Sequence, residues 1–433
     1  MPQLFLIAVR NLAQHSKRSL LLGGAIAAVT ALLVLVFGLT TGIRDTMLKS
    51  ATTLMTGHVN VGGFFKATAG QSAPVVAQYQ AVLDIVRREV PELQYVSSRG
   101  RGWAKVISET GSVQAGLSGL DIDTETGFAQ VIQVASGSLE ALRQPNTILI
   151  FEEQSKKLGV KVGDLLTLSA PTLRGSTNTL DVQVAVIARD AGLLSSFTVF
   201  VDNAGLRSLY QLKDDTTGAL QLYLKDVRLV PEVKNRLREK FEKAGYAVLA
   251  DDPRSFWMKF EVVNREPWTG QKLDITTWED EISFMKWTLT ALAWISAILI
   301  VVLLIVISVG IMNTLWISIR ERTREVGTLR AIGMQRRRVL AMFLMEGFTL
   351  GLLGTFAGAA IGGLACVLVN AAKMKVPIAV QLFVMSDTLH FMVRPADVAL
   401  SILIITGCTT VISLFPSFLA ARMKPVTAMH HIG

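Results

Sequence analysis

The sequence predicts a membrane α-helical protein with four transmembrane helices and a large α+β periplasmic domain inserted between helices 1 and 2. Three observations carry this prediction. The 433-residue chain is 51% hydrophobic and only 18% charged, with a mean hydropathy of +0.44, more apolar than soluble domains are. Four segments hold the roughly 20 mainly apolar residues that a helix needs to cross about 30 Å of hydrocarbon. Basic residues crowd the short segments beside them, and the positive-inside bias assigns such segments to the cytoplasm.

In order along the chain, residues 1–18 read as a cytoplasmic amphipathic helix and 19–43 as the first span. This span is too long, and too far from a small-residue cleavage site, for a removable signal peptide. Residues 44–284 form the inserted domain, with room for two subdomains. The second span, 285–316, is bracketed by Trp287 and Trp316 as interfacial aromatics would bracket it. A cytoplasmic loop follows at 317–338, then a third span at 339–369, a short periplasmic loop at 370–396, a fourth span at 397–421 and a tail at 422–433. Arg10, Lys17 and Arg18 precede the first span and Arg422 and Lys424 follow the fourth, which places both termini in the cytoplasm.

Within the insert, strand and helix patterns interleave. Gly57–Val61 and Ala104–Ile107 read as strands, whereas Val75–Val90 spaces Val75, Tyr79, Val82, Leu83 and Val86 as a helix does. Leu165–Ser169 and Leu180–Ala188 read as paired strands joined by Ala170–Thr179, too long a connection for a tight hairpin, so a protruding loop is expected. Pro231–Ala244 reads as a basic amphipathic surface helix. Arg44–Leu54 and Asp280–Trp287 are expected to continue the first and second spans without a break.

The 317–338 loop carries the densest charge. Arg320, Arg322, Arg324 and Arg330 alternate with Glu321 and Glu325 around Gly327 and Gly333, and Arg336, Arg337 and Arg338 follow at once. A plain positive-inside loop accounts for the arginines but not for the interleaved glutamates and glycines. A docking element for a partner accounts for all of them. The third span sets Gly347, Gly351, Gly354, Gly358 and Gly362 at intervals of three and four. Such a stripe permits close helix packing, within the chain or between two copies of it. Glu346, at the start of that stripe, needs a partner such as a loop arginine or must snorkel to water. On the first span Val36, Leu39, Ile43 and Met47 share an apolar spacing suited either to lipid or to an apolar substrate held between subunits.

Absent chemistry narrows the function. The chain holds no GxxxxGK[ST] phosphate-binding loop, no GxSxG and no HExxH, so neither ATP binding nor catalysis is expected of it. Cys366 and Cys408 lie inside predicted spans, and the five histidines have no ligand spacing, so no disulfide framework and no metal are expected. The net charge of +9 resides largely in the arginine clusters, which suits a membrane surface rather than nucleic acid.

Four spans with a domain between the first two, the loop RERTREVGTLRAIG, the third-span run EGFTLGLLGTFAGAAIG, the C-terminal FPSFLAARMKPVTAM and the N-terminal AVRNL together resemble the permease subunits of MacB-type ABC transporters. That family includes the lipoprotein-releasing LolC and LolE permeases and the FtsX proteins. The resemblance implies an inner-membrane permease whose cytoplasmic loop is a coupling helix, docking through Arg320, Glu321, Arg322, Arg324, Glu325, Gly327, Arg330 and Gly333 into a separate ABC ATPase dimer. That partner would bind the ATP and Mg, and a second permease copy or paralogue would complete the complex. Unlike the related macrolide exporters, the chain carries no fused ATPase. The 170–179 loop resembles the hook with which Lol permeases engage a periplasmic lipoprotein carrier, which would assign Pro171, Thr172, Leu173, Arg174 and Gly175 to carrier binding. The expected function is conversion of ATP hydrolysis by the partner into periplasmic motion that extracts lipoproteins or another lipidated substrate from the inner membrane. The alternatives are MacB-like export of peptides, toxins or antibiotics with an adaptor, and FtsX-like signalling to a cell-wall hydrolase without transport.

Overall fold

The computed structural model describes residues 10, 14, 16–68, 71–172, 175–190, 192–375, 377 and 388–422. Most of the expected 1–18 helix, Leu173, Arg174 and the tail beyond Arg422 lie outside the described residues. In chain order, the helices that frame the molecule are α1 (Ser16–Leu54), α2 (Tyr79–Glu89), α3 (Glu152–Leu158), α4 (Asn203–Tyr210), α5 (Val230–Lys243), α6 (Lys286–Glu321), α7 (Thr323–Ala331), α8 (Arg336–Ala372) and α9 (Pro395–Arg422). Of these, α1, α6, α8 and α9 are long and apolar enough to cross a membrane. The chain divides into two compact units, one built on these apolar helices and one spanning residues 46–289.

In the helical unit, α8 is the hub. A Cβ added at Gly347 or Gly351 would collide with Ser413 or Thr409 of α9. One at Gly354 would lie 2.8 Å from Ile26 of α1, one at Gly362 would lie 2.8 Å from the Ala31 carbonyl, and one at Gly358 would lie closer still to the Ala27 carbonyl. The predicted glycine stripe therefore serves packing within the chain: its first two members seat α9 and the rest seat α1, because only hydrogen at Cα lets backbones approach this closely. Leu22 and Ile26 of α1 pack with Ile307, Ile311 and Leu315 of α6 and Ile405 of α9. The other half of α6 leaves Trp294, Ile295, Ile298, Val302, Ile305 and Val306 exposed, as a helix facing hydrocarbon does.

The inserted unit contains β1 (Val59–Thr68), β2 (Gln71–Ala73), β3 (Leu93–Ile107), β4 (Ser112–Leu120), β5 (Val134–Gly137), β6 (Thr147–Phe151), β7 (Leu165–Pro171), β8 (Thr177–Ala188), β9 (Thr198–Asp202), β10 (Ala219–Leu224) and β11 (Gly270–Thr277). Four of them form an antiparallel sheet in the order β11-β1-β10-β3. Helix α2 connects β1 to β3 and α5 connects β10 to β11, which is the split βαβ arrangement. Helix α5 buries Val233, Leu237 and Phe241, but also Lys234, which turns inward to pair with Asp280 at 3.0 Å, so the expected basic surface face is only partly realised.

Strand β3 belongs to two sheets. Its first half pairs with β10, and its second half, from Gly100 on, pairs with β4 and β7. The pairs β4–β9, β9–β6, β6–β8 and β8–β7 complete a closed circuit of six strands. Closure removes open edges, and the interior is filled by Val106, Leu117, Ile148, Leu168, Val184 and Val199, among others. At the crossing from sheet to barrel, the Tyr210 ring fills the space beside Gly102, where a Cβ would lie 2.5 Å from the phenol oxygen. That phenol accepts from the Trp103 amide at 2.7 Å and donates to the Trp103 carbonyl at 2.6 Å. Burial pushes its pKa up to about 12.

Two expectations are corrected. The 170–179 connection is not a ten-residue loop: β7 and β8 stay in register as far as Pro171 opposite Thr177. Alternation of side chains continues through Ala170 and Thr179 and supports the ladder, leaving a short tip in which the Thr172 amide donates to the Ser176 carbonyl at 2.8 Å. Nor do residues 280–287 continue the second span as one rod. Thr277 and Asp280 form a capping box at 3.2 and 2.9 Å that starts a separate turn, Trp278–Glu281, and a 3-10 turn at Ser283–Met285 intervenes before α6. The continuation of α1 through Leu54 is unbroken, as expected.

Candidate functional site

The charged loop folds as a short amphipathic helix, α7, pinned from within and exposed to solvent on its outer face. Val326 buries against Ile319 of α6, Val339, Met342 and Phe343 of α8, and Ala420 and Ala421 of α9. Gly333 ends α7 in the left-handed conformation, φ +103°. The Met334 amide donates to the Leu329 carbonyl at 3.0 Å and the Gly333 amide to Arg330 at 3.2 Å, the paired bonds of a Schellman cap.

The charged residues separate into two sets. Arg322 is buried; its guanidinium donates to Glu346 of α8 and to Glu325, both at 3.1 Å. The partner that Glu346 required is thus a loop arginine, and Arg322 is an internal pin rather than the docking residue expected of it, because an ionised Glu346 beside apolar spans must be neutralised. Arg330 also turns inward, donating to the Ala421 carbonyl at 3.5 Å near the C-terminal end of α9, where a cation complements the helix dipole. Gly327 is buried on the inner face as well. Arg320, Glu321, Arg324 and Glu325 remain exposed, together with Thr328, Ala331 and Ile332. Ile332 is 80% exposed; an isoleucine presented on a rigid cap between charged residues is the kind of anchor an interface buries at its centre. Sequence reasoning missed Ile332 because apolar residues adjoin it on both sides of the glycine. The phase of α7, with Thr323, Val326 and Gly327 inward, was the signal that could have found it.

The carrier-loop assignment is divided. Pro171 and Gly175 are exposed, Gly175 at φ +85° with its amide donating to the Thr172 carbonyl at 3.0 Å. Thr172 is buried, its hydroxyl 3.0 Å from that of Ser176, so it shapes the tip and presents nothing to a carrier. Leu173 and Arg174 lie outside the described residues. Of the proposed substrate stripe, Val36 and Leu39 are half-buried, but Ile43 and Met47 are buried. Packing that encloses Met47 fully removes it from any acyl-chain surface.

A second arrangement, invisible to the sequence reading, holds the C-terminal end of α1 in the inserted unit. Arg99 on β3 donates to the Thr53 carbonyl at 3.0 Å and the Leu54 carbonyl at 3.4 Å. Tyr223 on β10 donates to the Thr52 carbonyl at 2.8 Å and Gln221 to the Met55 carbonyl at 2.9 Å. These are the acceptors a helix end leaves without internal donors. Glu125, also buried, neutralises Arg99 through a bidentate pair, with one contact at 2.8 Å. Beside it, His58 accepts from the Leu224 amide at 2.9 Å, and burial holds its pKa below the ordinary imidazole value.

Residues 297–425, which include most of α6 and all of α7, α8 and α9, match the FtsX-like permease C-terminal family. Among curated proteins, the chain is 34% identical over 151 residues to the macrolide export ATP-binding/permease protein MacB 2 of Aeromonas hydrophila, covering 34% of this chain and 21% of that protein. It is 29% identical over 241 residues to the macrolide export ATP-binding/permease protein MacB of Hyphomonas neptunium, covering 53% of this chain and 32% of that protein. The chain thus matches about a fifth to a third of the length of these relatives. The crystal structure of the periplasmic region of MacB from Actinobacillus actinomycetemcomitans aligns with 53% of this chain and 94% of that chain at 9% identity and a TM-score of 0.31, a level at which no common fold is asserted. The match to the FtsX-like permease C-terminal family thus falls on most of the last three apolar helices and on the charged helix between them.

Proposed function

We propose that the chain is the permease subunit of an ABC transporter, driven by a separate ATPase that docks on the exposed face of α7. The observation that carries this reading is the division of side chains in and around α7: Arg322 and Arg330 are committed to the helical unit, while Arg320, Glu321, Arg324, Glu325 and Ile332 are exposed. A loop that served topology alone has no need of a buried pin. The pin lets a push on the outer face pass directly to α8 rather than bend the loop. In this reading both termini and α7 are cytoplasmic, residues 46–289 are periplasmic, and ATP and Mg stay with the ATPase dimer.

The substrate in this proposal is a lipidated or otherwise amphiphilic molecule taken from the outer leaflet of the inner membrane, a lipoprotein in the first instance. The middles of the four apolar helices carry no charged residue apart from Glu346, which pairs with Arg322. A polar solute would find no route there, whereas the apolar face of α6 offers acyl chains a surface. MacB-like export of peptides or antibiotics shares the same coupling and differs in cargo.

The test is affinity purification of the full chain in mild detergent with its ATPase, comparing wild type with an Arg324→Glu, Ile332→Asp variant. The variant should lose the ATPase while remaining folded in the membrane. Undiminished recovery of the ATPase would sink the docking assignment. In the same experiment, a periplasmic lipoprotein carrier lost on shortening residues 171–175 supports lipoprotein as cargo, and a membrane-fusion adaptor in its place supports export.

A further inference from the structure

The arginines at the start of α8 have no role in the coupling just described. Arg336, Arg337 and Arg338 fill its first turn, all exposed, and among the described residues none makes an ion pair or side-chain hydrogen bond. Local rules oppose this placement. The first turn of a helix is the positive end of its dipole and favours acids, yet this one holds no acidic residue, and Gln335 at its cap makes no side-chain bond. A segment that breaks a local rule without compensation inside the fold is a candidate for function.

The surroundings indicate what compensates. The apolar run of α8 begins immediately, at Val339 and Leu340, so the three guanidinium groups stand at the edge of the hydrocarbon. Their neighbours in the same bundle end mark that level independently. Arg320 lies 6.0 Å from the Trp316 ring centroid on α6, and Arg422 lies 4.2 Å from the Phe418 ring on α9. The ends of these helices meet α8 through Ile319, Val339, Met342 and Ala421. Tryptophan at a span end, as Trp316 is, sits at headgroup depth, and guanidinium groups bind phosphate oxygens bidentately. The patch is thus cationic, unpaired, and level with a plane of phosphates.

We propose that Arg336, Arg337 and Arg338, flanked by Arg320 and Arg422, form a binding site for anionic phospholipid headgroups at the membrane surface where α7 emerges. The site rests on the membrane-spanning reading of α8 but not on ATPase docking. Its occupant would neutralise the first turn of α8 and so hold the helix that carries Glu346 at a fixed depth.

The full chain, purified in detergent, would be titrated with phosphatidylglycerol and separately with phosphatidylcholine, and lipid binding read by native mass spectrometry. Wild type should prefer the anionic lipid. An Arg336→Gln, Arg337→Gln, Arg338→Gln variant should lose about a hundred-fold of that preference, given roughly five-fold for each arginine near a charged surface. An Arg→Lys variant at all three positions should keep most of it. Should the glutamine variant fail to fold, Gln335→Glu, which supplies the missing acid while keeping every arginine, should also weaken the preference. Equal binding of the two lipids by wild type, or unchanged preference in both the glutamine and Gln335→Glu variants, overturns the proposal. Displacement of the lipid by inorganic phosphate at equal concentration would assign the patch to a soluble anion instead. Loss of the co-purifying ATPase with lipid preference intact would assign it to docking.

Discussion

Two of the buried arginine–glutamate pairs, one in each unit, differ in how completely they are enclosed. Arg99 and Glu125 in the inserted unit each have side chains 1% exposed. Arg99 also spends its remaining donors on two helix-end carbonyls and on Ser118 at 3.2 Å. Arg322 and Glu346 in the helical unit are 8% and 10% exposed, and Arg322 shares its charge with Glu325, whose side chain is 64% exposed. A fully satisfied pair has one arrangement. A pair with one carboxylate in water can trade partners at small cost, because exposed ion pairs contribute little. The first pair therefore suits a rigid anchor for the end of α1, and the second suits a joint at α7.

The largest expected effect breaks the anchor. Arg99→Met leaves Glu125 buried and uncompensated and should cost about 3–5 kcal/mol, read as a lower midpoint in denaturant unfolding of the full chain followed by tryptophan fluorescence. The double variant Arg99→Met, Glu125→Leu should recover most of that loss. Recovery of nothing would mean that the carbonyl contacts, and not the charge pair, hold the anchor. At the joint, Arg322→Met should cost less, about 1.5–3 kcal/mol, the range for hydrogen bonds to charged groups, since Glu346 has a further interaction. A loss equal to that of Arg99→Met would erase the distinction between the two pairs.

Packing in the helical unit sharpens the contrast. Gly351→Val would drive a side chain into Thr409 of α9 and should cost about 1–3 kcal/mol by overpacking, lowering the thermal midpoint in detergent. Gly363→Val, where a Cβ meets nothing within 4 Å, should leave the midpoint unchanged. The smallest effect is at His58. Its native pKa lies below the ordinary 6.5, so the unfolded chain binds the proton more readily. Its stabilising contribution is complete above about pH 6.5 and declines as pH falls through the lowered native value. Hydrogen exchange of β1 and β10 in the full chain should quicken over that window, and His58→Asn should remove the dependence.

Legibility from sequence followed the range of the forces involved. The paired strands at Leu165–Ser169 and Leu180–Ala188 and the helix at Pro231–Ala244 were readable because alternation and amphipathic spacing are properties of neighbours in the chain. The extent of the hairpin was misjudged, since Pro171 and Gly175 are turn signals in any context, and only the ladder with β8 shows that pairing reaches Pro171. In the candidate site, the arginines and Gly333 were visible as a pattern, but the inward turn of Arg322 and the exposure of Ile332 depend on where α8 and α9 lie. Arg99, Glu125, Tyr223 and Gln221 were invisible, because they act on residues up to 171 positions away.

By itself, then, the sequence determined that four stretches suit hydrocarbon, that the charge between the second and third is concentrated in one loop, and that a glycine stripe runs along the third. Composition and period are local, and water and lipid read them without knowledge of the fold. The tertiary structure alone decided that the stripe splits between α1 and α9, that β3 is shared between an open sheet and a closed barrel, and that Arg322 and Arg330 of the charged loop face inward. Those choices depend on desolvation and close packing, which are defined only once distant segments have met.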